Sequence, residues 1–261
     1  MTPDAVLESK GLDELGIPGG INQNGMQIVQ VEPGTFDPRQ GLSDTRAMTK
    51  RVSVREAQAE IARFEMDQVL GHDTVPDCAE YAAEQVEPGS VFMMRWVDEA
   101  GFAEEPDARR LGPRELLSPR QLRDFARITV MDAILGNTDR HLGNFLVDTK
   151  NDRVWAIDSG FGQLLRVDGR SAIAYLAGNL PSIDRYDPEA LRQGLSAAAA
   201  EVRAKLPELE EVARRRFGQD PLRGRQAHGE TAANYLAEGL AKVEETVDDP
   251  VAWAYLRDRN W

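Results

Sequence analysis

Cysteine is almost absent: Cys78 is the one thiol in 261 residues. An internal disulfide and a multi-cysteine zinc site are therefore excluded, and a lone cysteine most often serves as a small buried apolar side chain. Long hydrophobic runs are missing too. No apolar stretch reaches the roughly 18 residues that a spanning helix needs. Basic charge is in deficit, with 31 Lys and Arg against 44 Asp and Glu and a formal net charge of −13. Nucleic-acid and anionic-membrane surfaces are built from basic patches, so neither partner is expected. The opening MTPDAVLESKGLDELG has no basic region and no hydrophobic signal core, which makes the cytoplasm the expected compartment. Neither a Walker pattern nor G-x-G-x-x-G occurs, although GIPGGINQNG at 16–25 reads as a phosphate-covering loop or an ordinary surface loop. What is present is 41% hydrophobic and 29% charged residues, the balance of a globular chain. The length fits one large domain or two small lobes sharing a cleft.

The informative stretch is 131–162, MDAILGNTDRHLGNFLVDTKNDRVWAIDSGFG. Residues 145–148 and 153–157 are rich in Phe, Leu, Val, Trp and Ile, and the polar cluster Thr149-Lys150-Asn151-Asp152 separates them, which predicts a β-hairpin. A hairpin brings its outer ends together, so Asn144 and Asp158 should lie side by side, with Asp139 facing them from the preceding loop. That arrangement supplies two oxygen ligands and a free carboxylate at one mouth.

Phosphoryl transfer from a magnesium nucleotide needs such a set. Mg²⁺ takes oxygen ligands, commonly one or two from protein and the rest from phosphates and water, while a further carboxylate orients the acceptor hydroxyl and takes its proton. Protein kinases use D-x-x-x-x-N followed by a later metal aspartate for these tasks. N-T-D-R-H-L-G-N followed by I-D-S-G resembles the catalytic and metal-binding segments of the atypical kinases related to phosphatidylinositol kinases and to HipA-type bacterial protein kinases. The resemblance implies ATP and Mg²⁺ as cofactors, Asp139 as base or hydroxyl orienter, and Asn144 and Asp158 as metal ligands. His141 stands beside the catalytic aspartate as in those kinases, either taking part in catalysis or positioning the loop. Gly136-Asn137-Thr138-Asp139 also reads as the turn that ends a helix. Arg140 reads as a loop-bracing ion pair, and Asp148 and Asp152 as turn residues.

Upstream, strands are expected at 26–31 and 46–52, the second carrying Lys50. Ser53 and Glu56 form a capping-box signature for a helix that Gly71 ends. In kinases a strand lysine contacts the nucleotide phosphates and is held by a glutamate of the next helix. Lys50 and Glu60 are spaced for that pair, with Glu56 as the competing glutamate. L-G-H-D-T-V-P at 70–76 resembles the link that follows this helix in the same families. Strands at 77–85 and 90–97 come next, and Met93, Met94 and Trp96 of the second read as core or as the lining of an adenine slot. The acidic, Pro/Gly-containing 98–113 reads as a hinge. Ser118-Pro119-Arg120-Gln121 opens a buried helix that Gly136 stops, and further helices are expected at 188–206, 208–217, 229–247 and 250–259. Arg214-Arg215-Arg216 falls on one of these as a solvated face.

The expected architecture is an α+β, two-lobed kinase-like fold: a sheet-plus-helix lobe over 1–97, a linker over 98–113, and a mainly helical lobe over 114–261. The expected activity is transfer of the γ-phosphate of ATP to a hydroxyl of a protein Ser or Thr. A small-molecule acceptor, or a pseudokinase that binds without turnover, are the alternatives. Ser159 stands where related kinases usually have Phe, and no convincing glycine-rich nucleotide loop is present.

Overall fold

The computed structural model describes residues 6–11, 27–31, 46–81, 90–95, 101–102, 117–137, 139–140, 142–148, 150–160, 187–217 and 228–249. They form an α+β chain in which helices outweigh two antiparallel sheets. The larger sheet contains β1 (Val6–Gly11), β2 (Gln27–Val31), β3 (Arg46–Val52), β4 (Cys78–Tyr81) and β5 (Ser90–Arg95), in the order β1-β2-β3-β5-β4. β3 pairs with both β2 and β5, so Lys50 lies opposite Phe92 on a strand flanked on both sides. Strand β1 was not expected from the sequence. VLESKG mixes apolar, charged and glycine residues without alternation, a composition tolerated at a sheet edge because charge there discourages further pairing.

Helix α1 (Val54–Leu70) begins and ends as its sequence dictates. Ser53 accepts from the Glu56 N–H, the Glu56 carboxylate accepts from the Ser53 N–H, and Gly71 closes the helix in the left-handed conformation at φ 66°. The same devices frame α2 (Pro119–Leu135), with Ser118 and Gln121 in a reciprocal capping box and Gly136 at φ 67°. Ser118 also donates its hydroxyl proton to Asp152 at 2.6 Å. The turn residue of the hairpin thus fixes the start of α2 as well.

Helix α2 is the core element. Phe125, Ile128, Met131 and Ile134 are fully buried, and α2 packs against α3 (Pro188–Ala204), α5 (His228–Asp248) and the hairpin. Gly239 makes the α5 approach possible: a Cβ there would lie 3.1 Å from the Ile134 Cα and 3.2 Å from its carbonyl oxygen, backbone atoms that cannot give way. The hairpin strands are β7 (Phe145–Asp148) and β8 (Arg153–Ala156), one residue shorter than expected at the second strand, and β6 (Gly101–Phe102) adds a third strand beside β7. Arg153 ties the hairpin to its surroundings. It donates to Asp124 of α2 at 2.7 Å and to Asp73 at 3.1 Å, and its guanidinium lies 4.8 Å from the Trp155 ring centroid.

Helix α4 (Leu206–Phe217) carries Arg214, Arg215 and Arg216 on a partly exposed face, as expected, but their charges are paired. Arg215 and Arg216 both pair with Glu65 of α1, and Arg214 pairs with Glu210 and Glu211. Only the fold brings Glu65 to them, across about 150 residues of sequence. The expected helix at 250–259 lies outside the described residues.

His72, just beyond α1, is 3% exposed and sits 2.8 Å from a Glu201 carboxylate oxygen of α3 without the alignment of a hydrogen bond. Burial, helped by Arg127 and Arg63 and only partly opposed by Asp67 and Glu201, pushes its pKa down to about 4. The unfolded chain therefore binds this proton more readily than the folded one. Stability is expected to fall by on the order of 3 kcal/mol as pH drops from about 6.5 to about 4. Urea midpoints across this window should slope less in His72→Gln than in the wild type. Equal slopes would show that His72 is not buried as a neutral imidazole.

Candidate active site

Strand β3 and helix α1 bring Lys50 and Glu60 together inside the protein. Lys50 Nζ donates to Glu60 Oε1 at 2.8 Å and to Asp158 Oδ1 at 2.8 Å. Lys50 is 4% and Glu60 2% exposed, whereas the Asp158 side chain is 41% exposed and opens outward. Burial works against the Lys50 ammonium, but Glu60 and Asp158 outweigh it and raise its pKa above that of ordinary lysine. The side chain is a fixed cation. Glu56 does not compete for it, because its carboxylate is occupied by the Ser53 N–H of the capping box. The second oxygen of Glu60 accepts from the Ser159 N–H at 2.8 Å, so one carboxylate holds both the lysine and the segment bearing Asp158.

Asp139 and Asn144 occupy the path between α2 and β7, with a 3₁₀ turn at Leu142–Asn144. The Asp139 N–H donates to Asn137 Oδ1 at 3.3 Å, and Asn137 donates in turn to Asp132 of α2 at 3.1 Å. Asn144 Nδ2 donates to the Asp139 carbonyl at 2.6 Å. That bond orients the Asn144 amide and directs Oδ1 away from the Asp139 carbonyl. Across the hairpin the Ile157 N–H donates to the Asn144 carbonyl at 3.1 Å, so Asn144 and the peptide before Asp158 are neighbours. Asp158 is held at φ 55°, a left-handed conformation that Asp tolerates better than most residues. Among the described residues, the Asp139 carboxylate and the second oxygen of Asp158 have no partner.

Asn144 Oδ1 and Asp158 Oδ2 are oxygen donors of the kind magnesium takes, and these two residues could hold an ion that fills its other positions with phosphate oxygens and water. Among the described residues no group of three His, Cys, Asp or Glu side chains gathers as an all-protein metal cage. Next to the charged group is an apolar cluster of Met48, Ile61, Cys78, Met94, Leu146, Trp155 and Ile157, contributed by β3, α1, β4, β5 and the hairpin. Met94 is 4% exposed and faces Met48 and Cys78 across the sheet. Burial raises the Cys78 thiol pKa well above its usual range. The lone cysteine is an inert wall of this cluster.

His141 and Trp96, named from the sequence, lie outside the described residues, as does the 16–25 loop. Asp132 was missed. Its side chain is fully buried and pairs with Arg140 at 2.7 Å, and the available signal was a lone acid in the apolar run Met131-Asp132-Ala133-Ile134. No curated protein matches the chain. Residues 57–174, which carry Glu60, Asp139, Asn144 and Asp158, match the family model of phosphatidylinositol 3- and 4-kinase, so this part of the chain is similar to that kinase family.

Proposed function

We propose that the protein is a Mg·ATP-dependent phosphotransferase whose acceptor is a protein Ser or Thr hydroxyl. The carrying observation is Lys50 bridging Glu60 and Asp158 at 2.8 Å each, beside Asp139 and Asn144. In this reading a small lobe over 1–97 and a mainly helical lobe over 114–261 close on the nucleotide about the 98–113 linker. Lys50, held by Glu60, contacts the phosphates, and Asn144 and Asp158 hold the metal. A magnesium ion held there would neutralise charge on the nucleotide's phosphates. Asp139 orients the acceptor hydroxyl and receives its proton, with His141 adjoining it. Met94 and Trp96 line the adenine slot in this reading.

The family match favours a second reading, a lipid acceptor. Juxtamembrane binding draws on clusters of about four to eight free basic residues. The densest basic run in this chain, Arg214-Arg215-Arg216, has its charge turned onto Glu65, Glu210 and Glu211. That pairing supports the protein acceptor. Phosphoinositide vesicles, protein substrates and small hydroxyl compounds incubated separately with Mg·ATP distinguish the cases. Phosphate is expected on protein Ser or Thr, with no pelleting on anionic vesicles at low salt, where attraction is least screened. Phosphoinositide labelling with pelleting would replace the protein acceptor by a lipid.

A further inference from the structure

Arg140 does more than brace a loop. It is 5% exposed, and every N–H of its guanidinium has an acceptor. Nε donates to Asp132 Oδ2 at 2.7 Å, and Nη2 donates to Asp132 Oδ1 at 3.1 Å and to the Ser159 hydroxyl oxygen at 3.0 Å. Nη1 donates to the Asn144 carbonyl at 2.7 Å and also to the Ile157 carbonyl. These last two acceptors matter most. One belongs to Asn144 itself, and the other to the peptide unit that carries the Asp158 nitrogen. A single nitrogen therefore fixes the backbone of both residues read as metal ligands.

We propose that Arg140 is a positioning residue that sets the separation of Asn144 and Asp158 and so determines the site's affinity and selectivity for magnesium. The inference rests on the reading of Asn144 and Asp158 as metal ligands. Asp158 is clamped from both sides by the same guanidinium, through Ile157 O before it and Ser159 Oγ after it. Its left-handed backbone at φ 55° would relax without such restraint. The clamp has a rigid base, because Asp132 projects from the buried helix α2 with its side chain 0% exposed and takes Arg140 through both oxygens. Magnesium demands near-ideal octahedral geometry, whereas calcium accepts flexible, larger cages. A loosened ligand pair should therefore lose magnesium before it loses calcium. Ser159, in place of the phenylalanine usual in related kinases, belongs to the same device, since its hydroxyl is one of the two grips on Asp158.

Lysine keeps the buried charge opposite Asp132 but is a point donor on a flexible stem. It cannot reach two carbonyls, a carboxylate and a hydroxyl together. The test is the ATP affinity of the full chain, measured without metal and across Mg²⁺ and Ca²⁺ titrations, for wild type, Arg140→Lys and Ser159→Ala. In Arg140→Lys the metal-free ATP affinity should stay within about twofold, the Mg²⁺ concentration for half-maximal effect should rise about tenfold or more, and Ca²⁺ should gain on Mg²⁺. A purely structural role would lower stability without changing the preference between cations. Ser159→Ala, which removes one grip, should give a smaller shift of the same sign, and it carries the test if Arg140→Lys does not fold. Wild-type Mg²⁺ dependence in the folded variants overturns the proposal. Absence of any metal effect in the wild type instead overturns the ligand reading beneath it.

Discussion

Asp139→Asn is expected to lower turnover roughly a hundred- to ten-thousand-fold while leaving nucleotide affinity almost unchanged. The amide preserves the shape of the side chain but carries neither its negative charge nor its basicity. The residue is half-buried, and among the described residues its contacts are made by its backbone: its N–H to Asn137 and its carbonyl to Asn144. Those bonds survive the substitution, so the loop should keep its path and Asn144 its orientation. Rate and Mg·ATP affinity measured side by side separate the outcomes. Equal loss of both would make Asp139 a structural residue of the turn.

Lys50→Met should have the larger effect on the fold. The ammonium sits between two carboxylates, one of them 2% exposed, and methionine fills its volume without its charge. Glu60 would be left buried with the Ser159 N–H and no cation, a loss of about 3–5 kcal/mol by the usual cost of breaking a buried pair. Nucleotide affinity and rate should fall together, because the phosphate contact proposed for Lys50 goes with the charge. Adding Glu60→Gln removes the orphaned anion while keeping an acceptor for Ser159. The double variant should therefore regain most of the stability and none of the activity. Recovery of both would move the phosphate contact away from Lys50.

The parts of this site that were legible in the sequence are those set by local chemistry. Ser53 with Glu56, Ser118 with Gln121, and the apolar runs flanking Thr149–Asp152 each signal their element within a few residues. The Lys50–Glu60 pair followed from the kinase arrangement of a strand lysine held by a glutamate of the next helix, which the resemblance implied, and the two side chains do meet. The sequence left Glu56 in competition with Glu60, and the capping box resolves it. Long-range polar pairings were not legible. Nothing near Arg140 announces that Asp132, Asn144, Ile157 and Ser159 will converge on it, and nothing near Arg216 points to Glu65. Such pairs depend on which helix faces come together after folding. Strand β1 was hidden for a related reason: an edge strand has a polar face to show and little apolar pattern to read.

Incubation of the wild type and Asp139→Asn with γ-labelled ATP and Mg²⁺, followed by intact-mass analysis of the protein and of a co-incubated protein acceptor, tests the phosphotransfer reading most directly. The wild type should consume ATP and place phosphate on Ser or Thr, while Asp139→Asn binds the nucleotide and transfers almost none. Nucleotide binding by both with label transferred by neither would mean a module that holds ATP without using it, and transfer by both at equal rates would remove Asp139 from the chemistry.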